Sequence, residues 1–285
     1  VPRDRYDRPL ICVPDHDKLV PYTRCTTYVD CLEDKTALVA WGKRMVLMGS
    51  ARAPHLAAQA RTLDPTDRDD KRQLNRLAEK ASAIAGANDK RERGTHLHTL
   101  SEYVDRGLPL PSVSPADVAD LAAYMSATVH FDIVQVERLV VVDRLKVAGT
   151  PDRICRYDGP GPDGSPVAGN LIMDLKTGSV EHGALKMAMQ LAVYSRGVQY
   201  DHRTQTRSPL PDVNQRWGLI VHLPAGSATC TVYWIDLDLG WRAALVAQQV
   251  RELRSARNIL TPFQPEVAVA DRVASNDAKV YFDPQ

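Results

Sequence analysis

The stretch from Val147 to Tyr194, VAGTPDRICRYDGPGPDGSPVAGNLIMDLKTGSVEHGALKMAMQLAVY, constrains this chain more than any other. Val147 to Tyr157 and Leu171 to Leu175 read as strands, and the segment between them, Asp158 to Gly169, is a Gly/Pro-rich turn. That pattern is a hairpin. It brings Asp152 and Asp174 to neighbouring strand ends. Side chains alternate along a strand, so Asp174 and Lys176 project to one face while Leu175 enters the core. Two carboxylates and an ammonium in one place suit a divalent-metal site acting on phosphodiesters. Hard oxygens hold Mg²⁺ or Mn²⁺, the ion activates water and offsets charge on the phosphate, and the ammonium reaches the attacking water.

Three further segments carry candidate chemistry. Gly94-Thr95-His96-Leu97-His98 falls in a helical pattern that Gly107 terminates. Gly94 and His98 lie one turn apart, and Gly94 lets the helix approach another backbone closely. His96 points about 200° away from His98, so the two cannot face one metal. A helical histidine taken alone is more often a plain surface or core residue. Ile133 to Val142 is β-branched and reads as a strand; its Glu137 is either an acidic group near the metal or a partner for a neighbouring arginine. His182 to Tyr200 reads as a helix on which Gln190 and Tyr194 share a face. Lys186, four residues before Gln190, can reach a phosphate from that same face.

Taken in order, G-x-x-x-H on a helix, an acidic strand, G-T-P-D, D-L-K and Q-x-x-x-Y resemble the PD-(D/E)XK nuclease superfamily in its RecB-like exonuclease branch. The resemblance covers Gly94 to about Arg257, and the segment Val20-Pro21-Tyr22-Thr23-Arg24 is similar to RecB-like exonucleases encoded by actinobacterial phages. It implies an α/β fold: a restriction-endonuclease-like core with a central mixed β-sheet flanked by helices, and a helical N-terminal region. It implies a metal-dependent exonuclease at DNA ends, working in phage DNA recombination, repair or processing. Asp152, Asp174 and Lys176 would be catalytic. His98, Asp152, Asp174 and the backbone carbonyl of Leu175 would bind Mg²⁺ or Mn²⁺, with Glu137 a further candidate. Gln190, Tyr194, Lys186 and Arg153 would contact DNA. A single-strand annealing or recombination protein is the expected partner. Two alternatives stay open: a structure-selective or nicking endonuclease of the same fold, and a DNA-binding module whose nuclease site is vestigial.

Some relatives in that branch carry a four-cysteine iron-sulfur site with ligands clustered after the core. Of Cys12, Cys25, Cys31, Cys155 and Cys230 only the last follows the core here, so no such cluster is expected. The scattered cysteines read as reduced thiols. A net charge of +1 announces no nucleic-acid partner by itself, so any DNA surface must be local. No apolar run approaches the roughly 18 residues of a membrane span, and VPRDRYDRPL lacks a signal-peptide pattern, so a cytoplasmic protein with no membrane partner is expected.

With 285 residues and 44% apolar content the chain can bury a real core. Residues 1–90 are expected to form an N-terminal arm and helical region, 91–260 the nuclease core and 261–285 a loosely packed tail. Within the first region, residues 1–22 read as an extended surface arm. Thr23 to Ala53 reads as a helix with Leu38, Val39, Trp41, Met45, Val46 and Met48 on its apolar side, and Pro65 as the start of another. Ser114-Pro115 opens a helix to about Val129, with Val118, Leu121, Ala122 and Met125 inward. Asp201 to Asn214 reads as a loop, and Trp217 to Leu223 with Ala228 to Asp236 as a hairpin. Gly240 to Arg257 reads as a helix burying Trp241, Leu245, Val246, Val250 and Leu253.

Overall fold

A computed structural model describes residues 1–14, 18–181 and 183–263. The expected helix start at His182 and the tail beyond residue 263 lie outside the described residues. The chain opens with an antiparallel pair, β1 (Leu10–Cys12) and β2 (Leu19–Pro21), then β3 (Thr23–Arg24) and α1 (Cys25–Val29). α2 (Thr36–Arg52), α3 (Pro54–Ala60) and α4 (Arg68–Ile84) form a helical hairpin, followed by α5 (Asp89–Asp105) and α6 (Pro115–Thr128). Five strands follow: β4 (Asp132–Val136), β5 (Val140–Val142), β6 (Val147–Gly149), β7 (Arg153–Arg156) and β8 (Leu171–Lys176). Then come α7 (Ala184–Ser195), β9 (Val198–Asp201), β10 (Thr206–Ser208), β11 (Trp217–His222), β12 (Thr231–Asp236) and α8 (Leu237–Ser255).

The strands build two mixed five-stranded sheets, in the orders β12-β11-β8-β7-β4 and β10-β9-β5-β6-β3. In the first, only β8 and β11 run parallel; in the second, only β3 and β6 do. β8 is buried from Leu171 to Leu175, as a central strand covered on both faces must be. Ile172 and Ile220 pack with α7 and α8 through Leu191, Leu237 and Ala244. Met173, Leu175, Leu219 and Val221 pack on the opposite face with Leu97 of α5 and Tyr124 of α6. The architecture is a mixed α/β fold flanked by helices.

Two of the expected strands, which pair with one another as a long hairpin, are each broken in two, while the Leu171 strand stays whole. Residues 133–142 become β4 and β5, residues 147–157 become β6 and β7, and each half joins a different sheet. The breaks lie side by side: Glu137 takes φ of 51° and donates its N–H to the Asp152 carbonyl at 3.0 Å. Next to it, Pro151 has no N–H for a ladder. The long hairpin therefore bends from one sheet into the other at Glu137 and Asp152.

Several expectations about the surface are corrected. Residues 1–22 are not an extended arm, because Ile11 and Tyr22 are buried against Val141, Ala148 and Tyr200, and β3 extends the second sheet. The helix expected from residue 23 breaks into β3, α1 and α2, and α2 buries only Gly49, leaving Leu38, Val39, Trp41, Leu47 and Met48 exposed. Asp67, not Pro65, caps the next helix. On α6 the cap is as expected, a capping box between Ser114 and Asp117. Its inward face is Asp117, Asp120, Leu121 and Tyr124, with Val118 and Met125 outside. α7 stops at Ser195, and residues 198–208 form the hairpin β9-β10 where a helix end and a loop were expected. α8 buries Leu237, Gly240, Ala244 and Ala247 and exposes Leu245, Val246 and Leu253. α7 and α8 approach closely at Gly240, where a Cβ would collide with the Ala188 carbonyl oxygen.

Candidate metal centre

The hairpin register builds the site. Arg153 pairs with Met173, and continuing the antiparallel register one residue sets Asp152 across from Asp174. The Leu175 N–H donates to Asp152 Oδ2 at 2.7 Å, which fixes that carboxylate against β8. Asp174 lies on the α7 face of the sheet with Ile172, whereas Leu175 is buried on the other face, as the strand period requires. Lys176 Nζ meets Asp174 Oδ2 directly. Gln190 of α7 donates to Asp174 Oδ1 at 3.4 Å.

α5 supplies the imidazole. Gly94 permits this approach, since a Cβ there would stand 2.5 Å from Thr177 Oγ1, just past the end of β8. One turn on, His98 Nε2 lies 2.8 Å from the Leu175 carbonyl oxygen, and Nδ1 lies 3.6 Å from Asp152 Oδ2. His96 faces away and meets Asp117 at 3.4 Å. His98, Asp152, Asp174, Lys176, Gln190 and Tyr194 line one cavity of about 330 Å³.

Burial, then the neighbouring Asp174 charge, pushes the Asp152 carboxyl well above the usual range. Burial likewise depresses His98, which favours the neutral imidazole, whose second ring nitrogen keeps a lone pair. Glu137 lines an adjoining cavity; burial, followed by the charges of Asp152 and Glu102, raises it to about 7. Two crowded carboxylates, a neutral imidazole and a carbonyl oxygen are a donor set for a hard divalent cation. Among the described residues, the buried Asp174 Oδ2 has no partner besides the Lys176 ammonium. Among the described residues no group of three or more His, Cys, Asp and Glu side chains stands ready as a metal cage. His98 is turned onto the Leu175 carbonyl and Lys176 onto Asp174, so the donors converge while engaging one another.

Two expected DNA contacts fall outside the site. Arg153 is fully buried: its guanidinium donates to Asp105 and, at 2.6 Å, to Ser101 Oγ. It braces the site from behind, since Ser101 in turn donates to the His98 carbonyl at 2.8 Å. Lys186 points to α1 and the turn after it, pairing with Asp30 at 2.6 Å and Glu33 at 3.0 Å. Gln190 and Tyr194 do reach the cavity, but at 8% and 3% exposure they order its floor and offer no open surface. Gly149 of the G-T-P-D segment also lines the cavity, as do Arg24, Cys25 and Thr26, which carry no sequence signal because nothing in residues 1–26 places them beside β6. No family model matches the chain, and no curated protein matches its sequence.

Proposed function

We propose that the protein is a divalent-metal-dependent nuclease of the PD-(D/E)XK type that hydrolyses phosphodiester bonds at DNA ends, in recombination, repair or processing of DNA. The observation that carries this reading is the meeting of Asp152, Asp174, the Leu175 carbonyl and His98 with Lys176 at the edge of one cavity. A bound Mg²⁺ or Mn²⁺ supplies Lewis-acid polarisation of the phosphate and offsets its charge. Asp152 and Asp174 are the anionic ligands, the Leu175 carbonyl and His98 the neutral ones. Lys176 orients the attacking water and steadies charge developing on the phosphate. Gln190 holds Asp174 in place. End-directed action comes from the resemblance of the motif order to RecB-like exonucleases.

A second reading, a DNA-binding module with a vestigial site, is favoured by one observation: the prospective ligands are closed on one another. One experiment separates the readings. End-labelled linear DNA and closed circular DNA, each single- and double-stranded, are incubated with Mg²⁺, Mn²⁺ or EDTA, beside Asp174→Asn. Metal-dependent loss of linear DNA alone, abolished in the variant, is the expected result. Cutting of circles would make the protein an endonuclease, and DNA bound but intact under every metal would leave the binding module.

A further inference from the structure

A second cavity, of about 930 Å³, begins at Thr177, the residue after Lys176. The sheet register fixes its relation to the metal centre. Across three neighbouring strands Asp174 pairs with Ile220, and Ile220 with Tyr233; in the next row Lys176 pairs with His222. Asp174, Lys176, His222 and Tyr233 therefore share one face of the sheet. Tyr233 lies two strand spacings from Asp174, roughly 10 Å, within reach of a strand running on from the scissile phosphate.

The side chain of Tyr233 is built for contact. It is 45% exposed, and among the described residues its hydroxyl makes no hydrogen bond. The His222 ring lies 6.4 Å away at 40°, so the two rings border one another without stacking. Val180, Pro224 and Ala225 add apolar wall.

The charges on the wall decide what the cavity takes. Lys90 and Arg91 are matched by Asp89 and Glu181. Arg93 is committed to Asp117 at 2.6 Å and Asp120 at 3.3 Å. With no surplus of positive charge among the described residues that line it, the cavity is a poor phosphate cradle. An aromatic floor with apolar sides suits a flat, uncharged ring.

We propose that Tyr233, bordered by His222, is a stacking platform for an unpaired nucleobase, so that the substrate strand is single where it passes Lys176. This rests on reading Asp174 and Lys176 as the reacting end of a nuclease. It adds the strand preference, which the metal ligands do not set.

The test is binding without chemistry. Wild-type protein, Tyr233→Ala and Tyr233→Phe are titrated in EDTA against a labelled thymidine oligonucleotide, the same oligonucleotide in duplex, and one carrying a single abasic residue. Stacking of one base is worth roughly five- to a hundredfold in affinity. Tyr233→Ala should lose that factor for the single strand and not for the duplex. Tyr233→Phe should keep it, and the abasic residue should weaken the wild type but not Tyr233→Ala. Wild type that ignores the single strand, equal affinity in Tyr233→Ala, or equal loss in the Phe variant would overturn the platform. The two readings fail separately. Asp174-dependent cleavage with binding indifferent to Tyr233 removes the platform alone, and Tyr233-dependent binding without metal-dependent cleavage removes the nuclease alone.

Discussion

Arg153 follows Asp152 directly in sequence, yet the two side chains do opposite work. Asp152 opens onto the cavity, while Arg153 is sealed beneath it with Asp105, Ser101 and Tyr124. Removing one partner of a buried ion pair strands the other charge. Arg153→Met should therefore cost about 3–5 kcal/mol in urea unfolding. A drop in DNA affinity at unchanged stability would instead make Arg153 a DNA contact. Glu137 gives a pH test. Its carboxyl is raised from the ordinary 4.5 to about 7, so the folded protein holds a proton that the unfolded chain releases. The associated stability is full below 4.5 and is lost as pH rises through about 7. Asp152, raised by burial and Asp174, acts in the same direction. Metal-free protein should unfold at lower temperature at pH 8 than at pH 5. Glu137→Gln should remove part of that difference, roughly 1–2 kcal/mol once solvent screening is allowed for. Identical pH profiles for the two proteins would sink this account of Glu137.

Helix packing sets a second kind of constraint. A Cβ on Gly240 would collide with the Ala188 carbonyl, which is backbone of α7 and cannot swing aside. Gly42, within α2, has nothing within 4 Å of a Cβ. Gly240→Ala should destabilise by about 1–3 kcal/mol, while Gly42→Ala should stabilise by about 0.5–1 kcal/mol. Thermal unfolding of the two variants checks both signs at once. The same close approach explains why the buried face of α8 is not legible from apolar periodicity. A stripe of Gly240, Ala244 and Ala247 faces inward, so apolar periodicity singled out the larger Leu245, Val246 and Leu253, which face outward. Strand existence was legible from β-branched runs. The switch between sheets was not, because Glu137 adopts φ of 51° through its bond to the Asp152 carbonyl, a contact distant in sequence. Local signals at Ser114, Pro115 and Gly107 placed helix ends well, since caps act over a few residues.

At the scale of the molecule, two layers of helix clamp the first sheet so that Asp152, just before β7, and the polar residues of β8, α5 and α7 meet in one cavity. Much of this site could be read in advance. Hairpin register and strand period bring Asp152, Asp174 and Lys176 together, whereas His98 is singled out only by the resemblance of G-x-x-x-H to the nuclease family. The N-terminal contribution of Arg24, Cys25 and Thr26 depends on the pairing of β3 with β6, between residues far apart in the chain. The ion pairs that turn Lys186 toward Asp30 and Glu33 and Arg153 toward Asp105 are not legible in the sequence, because tertiary packing sets them. The central claim is that this cavity takes a divalent cation through Asp152, Asp174, the Leu175 carbonyl and His98. Its most direct measurement is a titration of metal-free protein with Mn²⁺, followed by calorimetry and paramagnetic resonance, for wild type, Asp174→Asn, His98→Ala and Lys186→Ala. A saturable site should weaken at least about tenfold in the first two variants and persist in the third. Wild-type protein that takes up no Mn²⁺, or an Asp174→Asn variant that binds it as tightly, would contradict the account.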